Sequence, residues 1–355
     1  MSRPFVTALI DTYNHETLIE EAIVSVLGQD FPRSEMEIVV VDDGSEDRTP
    51  DIVRKFAPGV RLLRKENGGQ GSAFNAGIAA AQGEIVAFLD GDDWWAPGKV
   101  SAVAEIFKRE REVGLVGHGI TVVCADGRKR KEVPRELTRF RLKSVADAKT
   151  FRMRRGFLGT SRMAYRREIL ARIGAVPEAL KFEADEYLFT LAGLHGDVMI
   201  LPKSFTFYRL YENNLFQFAS GTPENVKRKQ QVLAALTQCL RRKLQAENVR
   251  EDIARAIVEC VELEGNYLRL TLEHGFPWET IDTELRVMRV FHSDASLWQR
   301  LFSLARLAPA AALPSDIYYR WRRQLSELAI YRGIRQRFFP FPVPGHVAHE
   351  EKPAR

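Results

Sequence analysis

Two hydrophobic periods alternate along roughly the first 110 residues. Phe5-Val6-Thr7-Ala8-Leu9-Ile10, Ile38-Val39-Val40-Val41, Val60 to Leu63 and Ile85-Val86-Ala87-Phe88-Leu89 are short apolar runs. Runs of this length predict buried strands. Between them, Leu18, Ile19, Ala22, Ile23, Val26 and Leu27 recur at helical spacing. Thr49-Pro50 reads as an N-cap with proline at the first helical position. Gly68-Gly69-Gln70-Gly71-Ser72 opens a helix that runs to about Ala81. Strands alternating with helices predict a mostly parallel sheet with helices on its faces. In such sheets ligands sit at the carboxyl ends of the strands.

The pattern changes after about residue 112. Val113 to Cys124 predicts a long strand or a strand pair, closed by an Asp126-Gly127 turn. Phe157 to Tyr165 and Asp197 to Tyr208 read as further strands, with a helix over Ala184 to Leu194 between them. From about Pro223 the chain reads as helical. Leu233, Leu236, Leu240 and Leu244 share one face, as do Ile253, Ile257, Val261 and Leu268, and Trp278, Ile281, Leu285 and Met288 form another. The expected organisation is an α/β domain over 1–222, a helical region over 223–343 and a disordered tail over 344–355.

Composition narrows the class without naming it. Hydrophobic residues at 45% and charged residues at 28% are ordinary globular values, which excludes wholesale disorder. Cys124, Cys239 and Cys260 are too scattered for a disulfide framework or a cysteine metal site, which fits a reducing compartment. Neither a secretory leader nor a membrane span is legible, so the expectation is a cytoplasmic protein, or at most one peripheral to a membrane. The seven histidines are dispersed and read as structural or exposed. The net charge of +5 points weakly to an anionic partner. Arg300 to Pro340 alone carries eight arginines against Asp316 and Glu327, with interleaved aromatics. That pattern suits peripheral contact with an anionic membrane, or a helical cap with a solvated basic face.

The chemistry gathers in acidic clusters at strand ends. Asp90-Gly91-Asp92-Asp93 follows one apolar strand and Asp42-Asp43-Gly44-Ser45 another. Carboxylates one residue apart can converge on a hard divalent cation, Mg²⁺ or Mn²⁺, that leaves positions open for phosphate oxygens. Either cluster can equally be an ordinary turn. Asn67-Gly68-Gly69-Gln70-Gly71 precedes a helix and offers amides to a phosphate, or is a flexible loop. It lacks the Walker lysine and the dinucleotide fingerprint.

Taken together, the runs Val6 to Asn14, Ile38 to Thr49, Asn67-Gly68-Gly69 with Asn75-Ala76-Gly77, and Phe88 to Asp93 resemble family 2 glycosyltransferases of the GT-A fold, in both order and spacing. The resemblance is close over roughly residues 4–110, looser to about 215 and absent beyond. It implies a Rossmann-like mixed α/β sheet, a nucleotide-sugar donor (usually a UDP-sugar) and one divalent metal. By resemblance, Thr12, Tyr13, Asp42, Asn67, Gly71, Asp90 and Arg209 bind the nucleotide sugar: Tyr13 and Asp42 at the nucleobase, Asp90 on the ribose side and Arg209 at the diphosphate. Asp92 resembles the metal ligand and Asp93 an auxiliary carboxylate. Phe182-Glu183-Ala184-Asp185-Glu186-Tyr187-Leu188 resembles the segment that carries the catalytic base. Asp185 fits best, with Glu183 and Glu186 as rivals. Asp11 departs from the family, which usually has proline there.

The implied reaction is an inverting transfer to a hydroxyl of a glycan or lipid-linked acceptor in cell-surface polysaccharide or glycoconjugate synthesis. A nucleotidyltransferase would show a Gly-rich basic loop after the first strand, where this chain has Asp11-Thr12-Tyr13-Asn14-His15. A nucleic-acid-binding protein would leave the strand-end carboxylates unexplained.

Overall fold

The computed structural model describes residues 4–211, 223–291 and 304–327, together with Leu297 and Leu301. The chain divides into two compact units, Met1–Asp147 with Arg154–Tyr211, and Ala148–Met153 with Glu212–Arg355. The tail over 344–355 and part of the basic stretch Arg300 to Pro340 lie outside the described residues.

The first unit is built on one ten-stranded sheet. Its strands are β1 (Val6–Thr12), β2 (Met36–Asp42), β3 (Arg61–Arg64), β4 (Ile85–Asp90), β5 (Trp94–Trp95), β6 (Val113–Val123), β7 (Lys129–Glu132), β8 (Thr138–Phe140), β9 (Ala164–Arg166) and β10 (Asp197–Arg209). The order is β3-β2-β1-β4-β9-β6-β10-β5, with β7 on β6 and β8 on β10. The first four in this order are parallel. β9 runs against both its neighbours, which makes the sheet mixed. The chain leaves β1 toward β2 on one side and returns to β4 on the other. The strand order therefore switches direction at β1 and β4, where open α/β sheets form their ligand crevice.

The strands β1 and β4 are mostly apolar up to their carboxyl ends because both their faces are covered. Val6, Ala8 and Ile10 with Ile85, Ala87 and Leu89 join a core formed with Ile19, Ala22, Ile23 and Val26 of α1 (Ile19–Leu27) and Val100, Val103 and Phe107 of α4 (Lys99–Arg109). On the other face Phe88 packs edge-on against Phe74 of α3 (Gln70–Ala80) and Tyr165 of β9, at centroid distances of 5.0 and 5.5 Å. The two-residue period of a strand places Asp11 and Asp90 on this second face, one position beyond the last apolar side chain. α2 (Thr49–Arg54), α5 (Val145–Arg154), α6 (Arg167–Ile173) and α7 (Ala184–His195) complete the unit, except that residues 148–153 of α5 group with the second.

Two local expectations are corrected and one open alternative is decided. Thr49 is the first helical residue of α2 rather than its cap, because its hydroxyl accepts the His15 amide at 2.8 Å. Phe157 to Tyr165 is mostly not strand. Two single 3₁₀ turns, Arg155–Phe157 and Thr160–Arg162, precede the three-residue β9. Val113 to Cys124 is one strand rather than a pair, buried along nearly its whole length.

The second unit contains α8 (Pro223–Ala246), α9 (Glu251–Leu272), α10 (Pro277–Phe291), α11 (Leu307–Ala312) and α12 (Ser315–Glu327). The leucine row of α8 and the Ile253-to-Leu268 row of α9 are buried as expected. The α10 face is not. Trp278 and Leu285 are exposed, and Thr280, Thr283, Glu284, Val287 and Val290 are buried. Polar pairing turns this helix. Glu284 forms a buried ion pair with Arg322 of α12, and Thr280 donates to Ser315 Oγ at 2.7 Å. Among the described residues no helix is long and apolar enough to cross a membrane.

Candidate functional site

The carboxyl ends of β1, β2 and β4 bring the acidic motifs into one crevice. Asp11 and Asp90 are register partners across β1 and β4. Asp90, Asp92 and Asp93 each offer a carboxylate oxygen within 4.8 Å of the others. The turn between them depends on Gly91. A Cβ there would lie 2.6 Å from Thr12 Oγ1 and 2.9 Å from His15 Nδ1, so only glycine lets β1 and β4 end this close together.

Like charges at this density are costly. Burial, followed by repulsion from Asp92, holds the Asp11 and Asp93 carboxyls above the ordinary carboxylate range, with Asp93 pushed up to about 8. Asp90 is raised by burial and then by Asp11 and Asp92. Asp93 Oδ1 accepts the Arg209 amide at 3.0 Å, while Oδ2 is buried without a hydrogen-bond partner among the described residues. Tyr211 donates to Asp92 Oδ2 at 2.9 Å. A divalent cation fits this oxygen-only set, because it would relieve the repulsion and satisfy the unpartnered oxygen.

The loops after β1 and β2 are stitched into a wall. Asn14 donates its amide to Ser45 Oγ at 2.9 Å and accepts the Glu46 amide on Oδ1 at 2.9 Å. Tyr13 projects from this wall and is exposed. Thr12 is buried, with Oγ1 3.1 Å from His15 Nδ1. Burial lowers the His15 pKa. Asp42 is sealed inside its own loop. It accepts the Ser45 amide at 2.9 Å and lies 3.2 Å from Arg64 Nε. Reaching a nucleobase from there requires that loop to yield. Asn67 is exposed. Its backbone packs against Gly44. Asp43, unassigned in the sequence reading, anchors the glycine loop by accepting the Gly69 amide at 2.7 Å and pairing with Lys65 at 2.7 Å.

Two expected phosphate partners are otherwise engaged. Gln70 and Gly71 at the start of α3 donate their amides to Lys181 and Leu180 carbonyls at 2.9 and 3.2 Å. A Cβ on Gly71 would meet Leu180 O at 2.6 Å, so this glycine serves close packing. Arg209 sits beside the acidic turn, as its position implied. Its guanidinium pairs with Glu21, donates to the Asp92 carbonyl at 3.1 Å and stacks on Trp94, 4.5 Å from the ring centre. Trp95, by contrast, is a core residue.

Asp185 stands in the first turn of α7. Its Oδ2 accepts the Thr160 amide at 3.2 Å and its Oδ1 the Glu186 amide at 2.8 Å. Burial raises its pKa against these bonds. The rivals differ. Glu186 is buried in an ion pair with Arg155, and Glu183 is the cap residue of α7 in left-handed conformation, φ 58°. Ser161, next to Thr160, donates to Asp90 Oδ2 at 3.1 Å. One turn thus touches both the metal-side cluster and Asp185. Its Ser161 carbonyl is held by Lys99 Nζ at 2.8 Å, Thr206 Oγ1 at 2.6 Å and Trp95 Nε1 at 3.3 Å. Lys99 is fully buried, and burial depresses its pKa. Lys99, Tyr211 and His15 carried no signal strong enough to be singled out in the sequence. Their roles arise from contacts between distant segments.

Residues 7–174 match the family model described as glycosyl transferase family 2. An uncharacterized glycosyltransferase of Nostoc sp. is 34% identical over 63% of this chain and 71% of its own length. Further curated relatives are matched over 59% and 63% of their own length. Among solved structures, Staphylococcus aureus TarS 1–349 in complex with UDP-GlcNAc is similar with a TM-score of 0.52 at 21% identity, covering 81% of this chain and 89% of that one. A mannosyltransferase from Pyrobaculum calidifontis in complex with GDP-Man and Mn²⁺ gives 0.52 at 22% identity, covering 94% and 84%. At these identities the two structures speak to the fold, which they share.

Proposed function

The chain belongs to glycosyl transferase family 2, and from that premise we propose that it transfers a sugar, with inversion, from a nucleoside-diphosphate sugar to an acceptor hydroxyl. The observation that carries this reading is the convergence of Asp90, Asp92 and Asp93 at the β1–β4 switch point, linked through the Thr160–Ser161 turn to Asp185. Asp92, with Asp90 and Asp93, would hold a divalent cation, Mn²⁺ or Mg²⁺. Bound there, it supplies positive charge against the developing charge of the diphosphate leaving group. Thr12, Tyr13, Asn67 and Asp90 are proposed to face the nucleotide side of the donor crevice, with Asp42 reaching it only if its loop yields. Gly71 shapes it through packing, and Arg209 borders it at the acidic turn.

A sugar hydroxyl is a poor nucleophile near neutral pH. Asp185 accepts its proton as the oxygen attacks. Attack from the face opposite the leaving group inverts the anomeric centre. A UDP-sugar is the proposed donor, and a glycan or lipid-linked hydroxyl the proposed acceptor. One relative, 41% identical over 92 residues, is named a poly(ribitol-phosphate) beta-N-acetylglucosaminyltransferase, which supports a polymeric acceptor. Asp185→Asn is expected to reduce turnover by a factor on the order of 10²–10⁴ and leave nucleotide affinity within about twofold. Near wild-type turnover in that variant moves the base elsewhere.

Peripheral contact with an anionic membrane is part of this reading. It is supported by Ile317, Arg320 and Trp321, exposed together on α12. The full chain should float with phosphatidylglycerol liposomes at low salt, and a protein that stays at the bottom of the gradient contradicts the contact.

A further inference from the structure

Asp11 is the residue of the crevice that neither the cation cluster nor the base explains. It lies in the middle of the sheet, between Val41 of β2 and Asp90 of β4. Its backbone carbonyl accepts the Gly91 amide at 2.8 Å, so the strand position is fixed. Its side chain shares a face with Asp90, and the charges it senses most are Asp92 and then Asp185. Its Oδ1 is shielded from water and has no hydrogen-bond partner among the described residues. A buried polar atom without a partner costs stability. An unbranched apolar residue, or the proline that the resemblance leads one to expect, would avoid that cost.

The chemistry of the missing partner is restricted. A phosphate oxygen does not fit, because Oδ1 lacks a hydrogen-bond donor and a phosphate oxygen only accepts. Asp11 stands outside the set of carboxylates whose oxygens gather within 4.8 Å. What remains is a neutral donor delivered with the substrate. We infer that Asp11 is a donor-recognition residue, whose carboxyl accepts a hydrogen bond from a hydroxyl of the nucleotide sugar lying over the ends of β1 and β4. The inference rests on the glycosyltransfer reading above. The hydroxyl belongs either to the ribose or to the sugar being transferred. Both present the same group, and the two sources separate experimentally.

The test begins with wild-type protein, Mn²⁺ and a panel of UDP- and GDP-sugars. If none is hydrolysed or bound, the functional reading fails before Asp11 is in question. With the best donor in hand, Asp11→Ala and the isosteric Asp11→Asn are compared with wild type by kinetics, by calorimetric binding of the nucleoside diphosphate and by thermal melting. Loss of a hydrogen bond to a buried charged group should raise the donor KM of Asp11→Ala by about tenfold. The Mn²⁺ half-saturation should stay within about twofold, and Asp11→Asn should melt no lower than wild type, since a carboxyl crowded by acidic neighbours has been removed. Nucleoside diphosphate binding that weakens in parallel places the hydroxyl on the ribose. Binding that is unchanged places it on the transferred sugar. The inference is overturned if donor KM is unaltered in both variants, or if the Mn²⁺ requirement shifts as much as the donor KM.

Discussion

Burial and hydrogen bonding pull the Asp185 carboxyl in opposite directions. Desolvation disfavours the charged form, while the Glu186 and Thr160 amides and the Thr160 hydroxyl favour it, and burial prevails. A base must be ionised to accept a proton, so turnover should fall as pH drops through this raised value, above the usual carboxylate range. Thr160→Val keeps the backbone bond and deletes the hydroxyl, which lies 3.4 Å from Asp185 Oδ2. It removes support for the charged form, so the acid limb of the pH–kcat profile should move to higher pH. A limb that stays in place, or moves to lower pH, separates Asp185 from the titration. Glu186 offers the contrasting case. Its charge is already neutralised by Arg155, so Glu186→Gln should reduce stability more than it alters the pH profile.

At the scale of elements, the distance between the metal-side cluster and the base is set by one short turn. Thr160 and Ser161 reach Asp185 and Asp90 from adjacent residues, and α4, β5 and β10 clamp the Ser161 carbonyl through Lys99, Trp95 and Thr206. Lys99→Met keeps the length of the side chain and removes the bond. Small misplacements of reacting groups are costly, so kcat should fall by about tenfold while the melting temperature holds, because a buried amine has been replaced by an apolar group of similar length. A kcat within about twofold of wild type would show that the turn is held without Lys99. This clamp was not legible in the sequence. The strands β1, β2 and β4 were, because apolar runs such as Ile38-Val39-Val40-Val41 suit strands covered on both faces, whereas β3 lies at the sheet edge and leaves Arg61 and Arg64 exposed rather than buried. β9 was blurred into a longer strand because the apolar content of Phe157 to Tyr165 belongs to two tight turns and three extended residues. The buried face of α10 was misplaced for a related reason. Hydrophobicity favoured Trp278 and Leu285, whereas the Glu284–Arg322 pair and the Thr280–Ser315 bond decide which side turns inward. Positions of carboxylates at strand ends can be read from one segment at a time. The partners that occupy Asp42, Gly71 and Arg209 come from elsewhere in the chain.

Across the whole molecule, the basic surplus is local. The net charge of +5 is smaller than the +6 of Arg300 to Pro340, and the first unit concentrates carboxylates at the ends of its parallel strands. The family match covers residues 7–174, within the first unit apart from residues 148–153. The central claim is that the acidic crevice binds a nucleoside diphosphate through a divalent cation. The most direct measurement is calorimetric titration of UDP and GDP into the full chain, in Mn²⁺, in Mg²⁺ and after chelation, with wild type and Asp92→Asn side by side. The account predicts that the cation tightens binding of one of the two nucleotides at least about tenfold in wild type, as expected for a charge shared between ligand and protein, and that Asp92→Asn loses most of that gain. Binding of neither nucleotide with either metal, or binding that is indifferent to the metal and to Asp92, would contradict it.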